Sequence, residues 1–177
     1  ARAPELWPAL EPTFGLAFDG PLATTLRTLG APVFLLGDVR LRRPDLAMKA
    51  RRRLSALISE QRPEVVVIPS AWSHAVFAPV VRRAGIPLAL WIHDILTGSP
   101  WLERLAARVQ PDLLICNSRF TLEAARTVFP AVPARVVYCP LTFDTPKVSR
   151  AEARTSLGAA TDAVVFATVG RMERYKG

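Results

Sequence analysis

Short apolar runs rich in β-branched and aliphatic residues alternate along the chain with longer amphipathic segments. The runs at 65–68, 88–92 and 113–116 read Val-Val-Val-Ile, Leu-Ala-Leu-Trp-Ile and Leu-Leu-Ile-Cys. Strands that are apolar on both faces are typical of parallel sheets, which helices cover on both sides. The alternation therefore predicts an α/β fold built on a doubly wound, Rossmann-like parallel sheet.

Proline, glycine and capping residues set the bounds of the other predicted elements. Further strands are predicted at 14–18, 33–36, 135–139 and 163–169. Helices are predicted at 21–29, 44–60, 73–84, 100–109 with Ser99 as its N-cap, 119–128 and 150–157. Because helices separate the strands, we expect neighbouring strands to run parallel.

The segment from Pro140 to Val148 interrupts this alternation and is typical of an interdomain linker. The predicted organisation is a first domain at 1–140, a linker at 141–148 and the beginning of a second α/β domain at 149–177. The chain starts without an initiator methionine and stops where the second domain would continue. We therefore expect it to be a fragment of a longer protein.

The chain is strongly basic, with a net charge of +8 from 23 Lys and Arg against 15 Asp and Glu. Nucleic acid, an anionic membrane surface or phosphorylated ligands all suit such a charge, and arginine enrichment can also reflect genomic base composition. The densest basic stretch, 40–53, has no aromatic residue for base stacking, which argues against nucleic acid. Its helix is expected to present Arg51, Arg52 and Arg53 mostly outward.

Cysteine and histidine usage argues against a disulfide framework and a metal centre. Cys116 and Cys139 lie in strand-like runs and are expected to be buried thiols, which favours a cytosolic compartment. Two scattered histidines and two cysteines do not form a ligand set, so no metal is expected. No run reaches the about 18 consecutive apolar residues of a membrane helix, and no signal peptide is recognisable.

The last nine residues combine a glycine with two cations after a predicted strand. Gly170 allows close approach of a ligand to the backbone, and Arg171 and Lys176 follow at the carboxyl side of the strand, where α/β sheets bind ligands. A guanidinium fork and an ammonium group suit a diphosphate. A solvated basic turn is the alternative interpretation.

Several stretches, in a fixed order, resemble the retaining glycosyltransferases of the GT-B fold, specifically the large family 4 group. These include Ala-Gly-Ile-Pro followed by His-Asp, and Gly-Arg followed by Lys-Gly at the end of the chain. The matching stretches are 20–33, 62–67, 84–87 with 91–94, 111–118, 154–158, and 170–171 with 176–177. Each is short, and their common order gives the resemblance its specificity.

The resemblance implies roles for several residues. His93 would face the reacting sugar across an interdomain cleft, with Asp94 orienting its imidazole or capping the next segment. Arg171 and Lys176 would neutralise the diphosphate of the donor as it leaves, and no metal or other cofactor would be needed.

Three polar residues are candidate acceptor contacts. His74 can line the acceptor pocket or simply begin a helix. Asn117 and Ser118 are first of all N-caps, with contact to the cleft as a second role.

The chain departs from the family pattern in two respects. Cys139-Pro140-Leu141 replaces an Asn-Gly-Val-Asp-like turn, which leaves the hinge geometry open. The first strand with its glycine-rich loop and most of the donor domain, including a paired-glutamate motif, are not recognised in the chain.

The resulting hypothesis is the acceptor-binding half of a retaining glycosyltransferase. It would move a sugar from a nucleotide-sugar donor to a sugar, lipid-linked or small-molecule acceptor, and this chain alone is expected to be inactive. The expected location is cytoplasmic, with a peripheral position at the inner face of the membrane as the further expectation. The alternatives are a non-catalytic module that binds anionic lipid or a protein partner, and a GT-B nucleotide-sugar epimerase.

Overall fold

A computed structural model of the chain describes residues 8–40, 43–139, 147–160 and 162–166. The chain divides into two compact units, residues 1–139 and residues 140–177. Within the described residues, no helix is both long enough and apolar enough to cross a membrane.

Strands and helices alternate along the first unit. The strands are β1 (Phe14–Leu16), β2 (Val33–Leu35), β3 (Val66–Ile68), β4 (Leu88–Ile92), β5 (Leu113–Cys116) and β6 (Ala134–Val136). The helices are α1 (Pro21–Thr28), α2 (Pro44–Gln61), α3 (Ala71–Arg83), α4 (Trp101–Ala107) and α5 (Arg119–Arg126). In the second unit, α6 (Arg150–Ser156) begins with a capping box between Ser149 and Glu152.

All paired strands of these elements are parallel, which confirms the predicted α/β, Rossmann-like fold. They form two sheets in the described residues, a pair β1-β2 and a four-stranded sheet in the order β3-β4-β5-β6. The longer sheet follows chain order, with β4 central and paired along its length with β5. The carboxyl ends of β3, β4 and β5 therefore lie at one edge.

Two apolar clusters hold the helices on this sheet. The first joins α2 and α3 to the sheet through residues such as Leu54, Val81 and Leu88. The second lies beneath α4 and α5, where Leu90 and Leu114 of adjacent strands are fully buried. Burying apolar side chains of this size contributes about 1.5–3 kcal/mol each, so the central strands are the best anchored elements.

The bounds of β6 and α4 differ from the predicted ones for identifiable reasons. β6 ends at Val136, and Cys139 is exposed, so the predicted burial of Cys139 was wrong, whereas Cys116 is buried as expected. α4 begins at Trp101 rather than at Pro100, since Pro100 has extended backbone angles and is itself the N-cap, in place of the predicted Ser99.

The predicted strand at 163–169 is not found in its described part, residues 163–166. A strand needs a hydrogen-bonded neighbour, and no described residue pairs with this segment. Val164 and Phe166 are exposed accordingly.

The three consecutive arginines of α2 point mostly outward, as predicted, and Arg51 is the exception. Arg51 is half-buried and bonds to backbone carbonyls of α3, and Arg53 bonds through Nη1 to the carbonyl of Leu36. Arg52 and Arg53 are exposed. Two of the three guanidinium groups therefore donate to backbone carbonyls outside their own helix.

Candidate functional site

A cavity of about 270 Å³ opens at the carboxyl edge of the four-stranded sheet. Three segments of the chain line it. They are residues 70–72 at the start of α3, residues 92–96 at and after the end of β4, and residues 100, 102 and 103 at the start of α4. Open α/β sheets bind ligands at this edge. The lining is mainly apolar with a few polar groups, as in small-molecule sites generally.

Ser70 fixes the start of α3 at the rim of this cavity. It has extended backbone angles, and its Oγ accepts a hydrogen bond of 3.1 Å from the amide of Ser73. This cap satisfies one of the free amides of the first helical turn. Trp72 follows in that turn; it contributes to the lining of the cavity and also packs against the first apolar cluster.

His93 and Asp94 come directly after β4 and line the cavity, both with exposed side chains. The imidazole of His93 lies against the indole of Trp91, with ring centroids 4.8 Å apart and tilted by 39°. Among the described residues, His93 and Asp94 share no hydrogen bond. The aromatic contact, rather than the neighbouring carboxylate, therefore positions the imidazole.

Glu103 is a lining residue that sequence reasoning missed. Its side chain is only 8% exposed, and Oε2 accepts hydrogen bonds from the amides of Thr97 (2.8 Å) and Gly98 (2.6 Å). Gly98 has a φ of +73°, a conformation that favours glycine. An acidic residue in the first turn of a helix was the available signal, since such a residue can reach back to free amides.

His74 lies away from this cavity. It is fully buried, its Nε2 is 2.7 Å from the carbonyl oxygen of Val109, and its ring meets Phe129 edge-on at 5.9 Å. Burial lowers the pKa of the imidazole, which favours the neutral form. The predicted acceptor contact does not fit this position, because a sealed side chain cannot meet a ligand.

Asn117 and Ser118 act as helix-capping residues. Ser118 and Thr121 form a capping box at the start of α5. Asn117 accepts a hydrogen bond of 2.8 Å from Thr121 Oγ1, and its Nδ2 makes a long contact of 3.5 Å with the carbonyl of His93. The structure thus brings Asn117 to the backbone of the candidate site, but neither side chain lines the cavity.

Comparison with models of protein families shows the family of the chain. The family model of Glycosyltransferase Family 4 matches residues 13–145, which is most of the chain and includes every residue of the cavity. The chain belongs to Glycosyltransferase Family 4. No curated protein matches the sequence closely enough to count as a relative.

Solved structures share the fold of this Family 4 chain at low sequence identity. MurG of Acinetobacter baumannii matches with a TM-score of 0.58 and 13% identity, over 78% of this chain and 39% of that chain. Anabaena HepE in complex with UDP matches with a TM-score of 0.66 and 22% identity, over 85% of this chain and 43% of that chain. HepE in complex with UDP-glucose matches with a TM-score of 0.62 and 24% identity, over 81% of this chain and 41% of that chain. The chain spans about two fifths of the length of these proteins.

The donor-side residues predicted for this Family 4 chain, Gly170, Arg171 and Lys176, lie outside the described residues. Within the described residues, no group of three or more His, Cys, Asp or Glu side chains is placed to hold a metal ion. The described site is therefore the cavity at the end of β4.

Proposed function

We propose that this chain is the acceptor-binding part of a glycosyltransferase that uses a nucleotide-sugar donor. The observation that carries the proposal is the cavity at the carboxyl edge of β4, lined by His93 and Asp94, in a Family 4 chain. The HepE structures hold UDP and UDP-glucose, which supports a nucleotide sugar as the donor.

In the proposed reaction, the bond between the anomeric carbon and the diphosphate breaks, and an acceptor oxygen bonds to that carbon. The acceptor proton passes to an oxygen of the departing diphosphate. Arg171 and Lys176 would neutralise the charge that grows on this group, which is a purely electrostatic role. His93 would hydrogen-bond to the reacting sugar, and no metal or other cofactor is proposed.

Retention of configuration is the finer part of the proposal, and it rests on the resemblance to retaining enzymes. The anomeric configuration of the first-formed product, measured by NMR, decides it. An inverted product would reject retention and leave the transferase proposal standing.

Two substitutions in the complete gene product test the transferase itself. Lys176→Ala should lower kcat by more than it raises the donor KM, by an amount equivalent to about 2–4 kcal/mol, because the charge it meets is largest in the transition state. Lys147→Ala, which removes an exposed lysine of the second unit, is the matched control.

His93→Ala should impair transfer while leaving the Kd of the nucleotide nearly unchanged, because His93 belongs to the acceptor-binding part. Unchanged transfer in both His93→Ala and Lys176→Ala would contradict the proposal. Turnover of the nucleotide sugar without any acceptor, to an epimeric nucleotide sugar, would instead favour the epimerase alternative.

A cytoplasmic location, at or near the inner face of the membrane, is proposed with this function. It suits an enzyme that draws on nucleotide sugars, and the basic character of the chain suits an anionic surface.

A further inference from the structure

The cavity is acidic although the chain as a whole is basic. The net charge is +8, yet the cavity lining includes the carboxylates of Asp94 and Glu103, and none of its described residues is Lys or Arg. A phosphorylated ligand would be expected to meet arginine or lysine in its pocket. The charge of the chain therefore does not predict the ligand of this cavity.

The two oxygens of Glu103 have different surroundings. Oε2 is fixed by the amides of Thr97 and Gly98. Oε1 receives no hydrogen bond from any described residue. It is also not sealed from solvent, unlike Nδ1 of His74 and Nε1 of Trp91. A carboxylate oxygen that is held in place in a largely buried side chain is a ready acceptor for a hydroxyl group.

The remaining walls suit the carbon skeleton of such a ligand. Trp72 is an aromatic residue of the lining, and Ile92, Leu96 and Leu102 are its aliphatic residues. Pockets of this composition bury the apolar part of a ligand and orient it by a few polar contacts. A sugar or polyol has this character, with C–H faces and outward hydroxyl groups.

We propose that Glu103 selects an uncharged polyhydroxyl group as the acceptor bound in this cavity. Oε1 accepts a hydrogen bond from an acceptor hydroxyl, while Oε2 holds the loop at Thr97 and Gly98. That the bound group is the acceptor of a transfer reaction rests on the proposed transferase function. The preference of the cavity for an uncharged polyhydroxyl group does not depend on that function.

The two carboxylates of the cavity should disfavour anionic ligands through electrostatic repulsion. A phosphate or carboxylate on the bound group would lie in a cavity lined by two carboxylates and, among the described lining residues, by no Lys or Arg, and the repulsion is poorly screened in a partly enclosed cavity. A neutral sugar avoids this cost and gains the hydrogen bond to Oε1.

Binding of a matched pair of probes to the purified chain tests the proposal. Methyl β-D-glucopyranoside and its 6-phosphate are titrated while the amide signals of Thr97 and Gly98 and the indole signal of Trp72 are followed by NMR. The neutral glycoside should bind more tightly than the phosphate by about tenfold or more, as expected for a desolvated like-charge contact.

Glu103→Gln keeps the shape of the side chain and one oxygen acceptor but removes the charge. It should bind the neutral glycoside within a few-fold of the wild type and lose most of the discrimination against the phosphate. Glu64→Gln removes the same charge from an exposed side chain before β3 and should leave the preference unchanged. Glu103→Ala should in addition accelerate hydrogen exchange at Thr97 and Gly98.

Three results would overturn the proposal: equal binding of the two probes, no perturbation of these signals by the neutral glycoside at its highest soluble concentration, or a preference that survives in Glu103→Gln. None of them bears on the transfer assay with His93→Ala and Lys176→Ala. Failure of that assay with the probe preference intact would leave Glu103 as the selector of a binding module.

Discussion

Arg51 of α2 donates a hydrogen bond of 2.6 Å from Nε to the carbonyl oxygen of Val76 in α3. Its Nη2 lies 3.5 Å from the carbonyl oxygen of Ala75. Pro79 lies inside α3 and has no amide hydrogen, so the carbonyl four residues earlier, that of Ala75, lacks its helical donor. The guanidinium therefore serves the turn that the proline interrupts, and it ties α2 to the helix that lines the cavity.

Arg51→Met should lower the free energy of unfolding by about 1.5–3 kcal/mol, the range for hydrogen bonds to charged groups. Methionine keeps much of the apolar stem, so lost packing adds little. Urea denaturation measures the change, and Arg52→Met, at an exposed position, should stay within about 0.5 kcal/mol of the wild type.

A double-mutant cycle tests whether the loss of stability in Arg51→Met depends on Pro79. Pro79→Ala restores an amide to α3, so the cost of Arg51→Met should be smaller in the Pro79→Ala background than in the wild type. Equal costs in the two backgrounds would show that Arg51 acts independently of the proline.

Binding to anionic vesicles should depend on Lys49 and Arg52 rather than on Arg51. Both side chains are exposed on α2, whereas Arg51 bonds to α3. Changing Lys49 and Arg52 to glutamate should weaken binding to phosphatidylserine-containing vesicles by at least about 1 kcal/mol per position, and added salt should weaken binding of the wild type. Vesicle co-sedimentation measures both; equal binding to neutral and anionic vesicles would reject a membrane role for this face.

The central strands could be predicted because their apolar residues are buried and turn residues flank them. β4 and β5 occupy the predicted ranges 88–92 and 113–116. The end of β6 could not be predicted from composition, because Val137 and Tyr138 have high strand propensity. The pairing with β5 determines where β6 ends. The last pair joins Cys116 to Val136, and β5 ends at Cys116, so it has no further residue to pair with β6.

The candidate site was predictable only in part. His93 and Asp94 were placed at the sheet edge because a strand of known direction ends before them. Glu103 carried one signal, its acidic side chain in the first turn of a helix, but the amides that it meets depend on the fold of the loop at Thr97 and Gly98, which no periodicity encodes.

The burial of His74 was available from helical spacing. His74, Ala78 and Val81 are spaced by four and three residues, and all three are fully buried. Positions so spaced share one face of a helix. The two apolar residues on that face indicate that the imidazole lies in the core rather than in a ligand pocket.

The stability of the fold should fall as the pH drops below about 6.5, the ordinary pKa of histidine. Since a carbonyl only accepts, Nε2 of His74 carries the proton toward Val109, and Nδ1 is left buried without a partner. Burial, with a smaller effect of the Arg82 charge, lowers the pKa of this imidazole. The unfolded chain then binds the proton more readily, so stability is fully present above the unfolded pKa and is lost as the pH falls.

Unfolding free energies measured by urea between pH 5 and 7.5 check this behaviour, and the slope contributed by His74 should approach about 1.4 kcal/mol per pH unit in the steepest region. His74→Gln should remove that part of the slope, whatever its effect on stability at neutral pH. His93→Gln, at an exposed histidine, should keep it. A slope that is unaltered by His74→Gln would assign the pH dependence to other groups.

Gly98→Ala should loosen the loop that Glu103 holds. The obstacle is backbone strain rather than space: a Cβ at this position would meet only Val128, at an ordinary 3.8 Å, but φ is +73°. An L-residue with a Cβ pays about 1–2 kcal/mol in this region, and asparagine tolerates it better. The amide bonds of Thr97 and Gly98 to Glu103 should therefore open more often in Gly98→Ala than in Gly98→Asn. Hydrogen exchange at these two amides measures the opening, and wild-type exchange in Gly98→Ala would mean that the loop does not depend on this conformation.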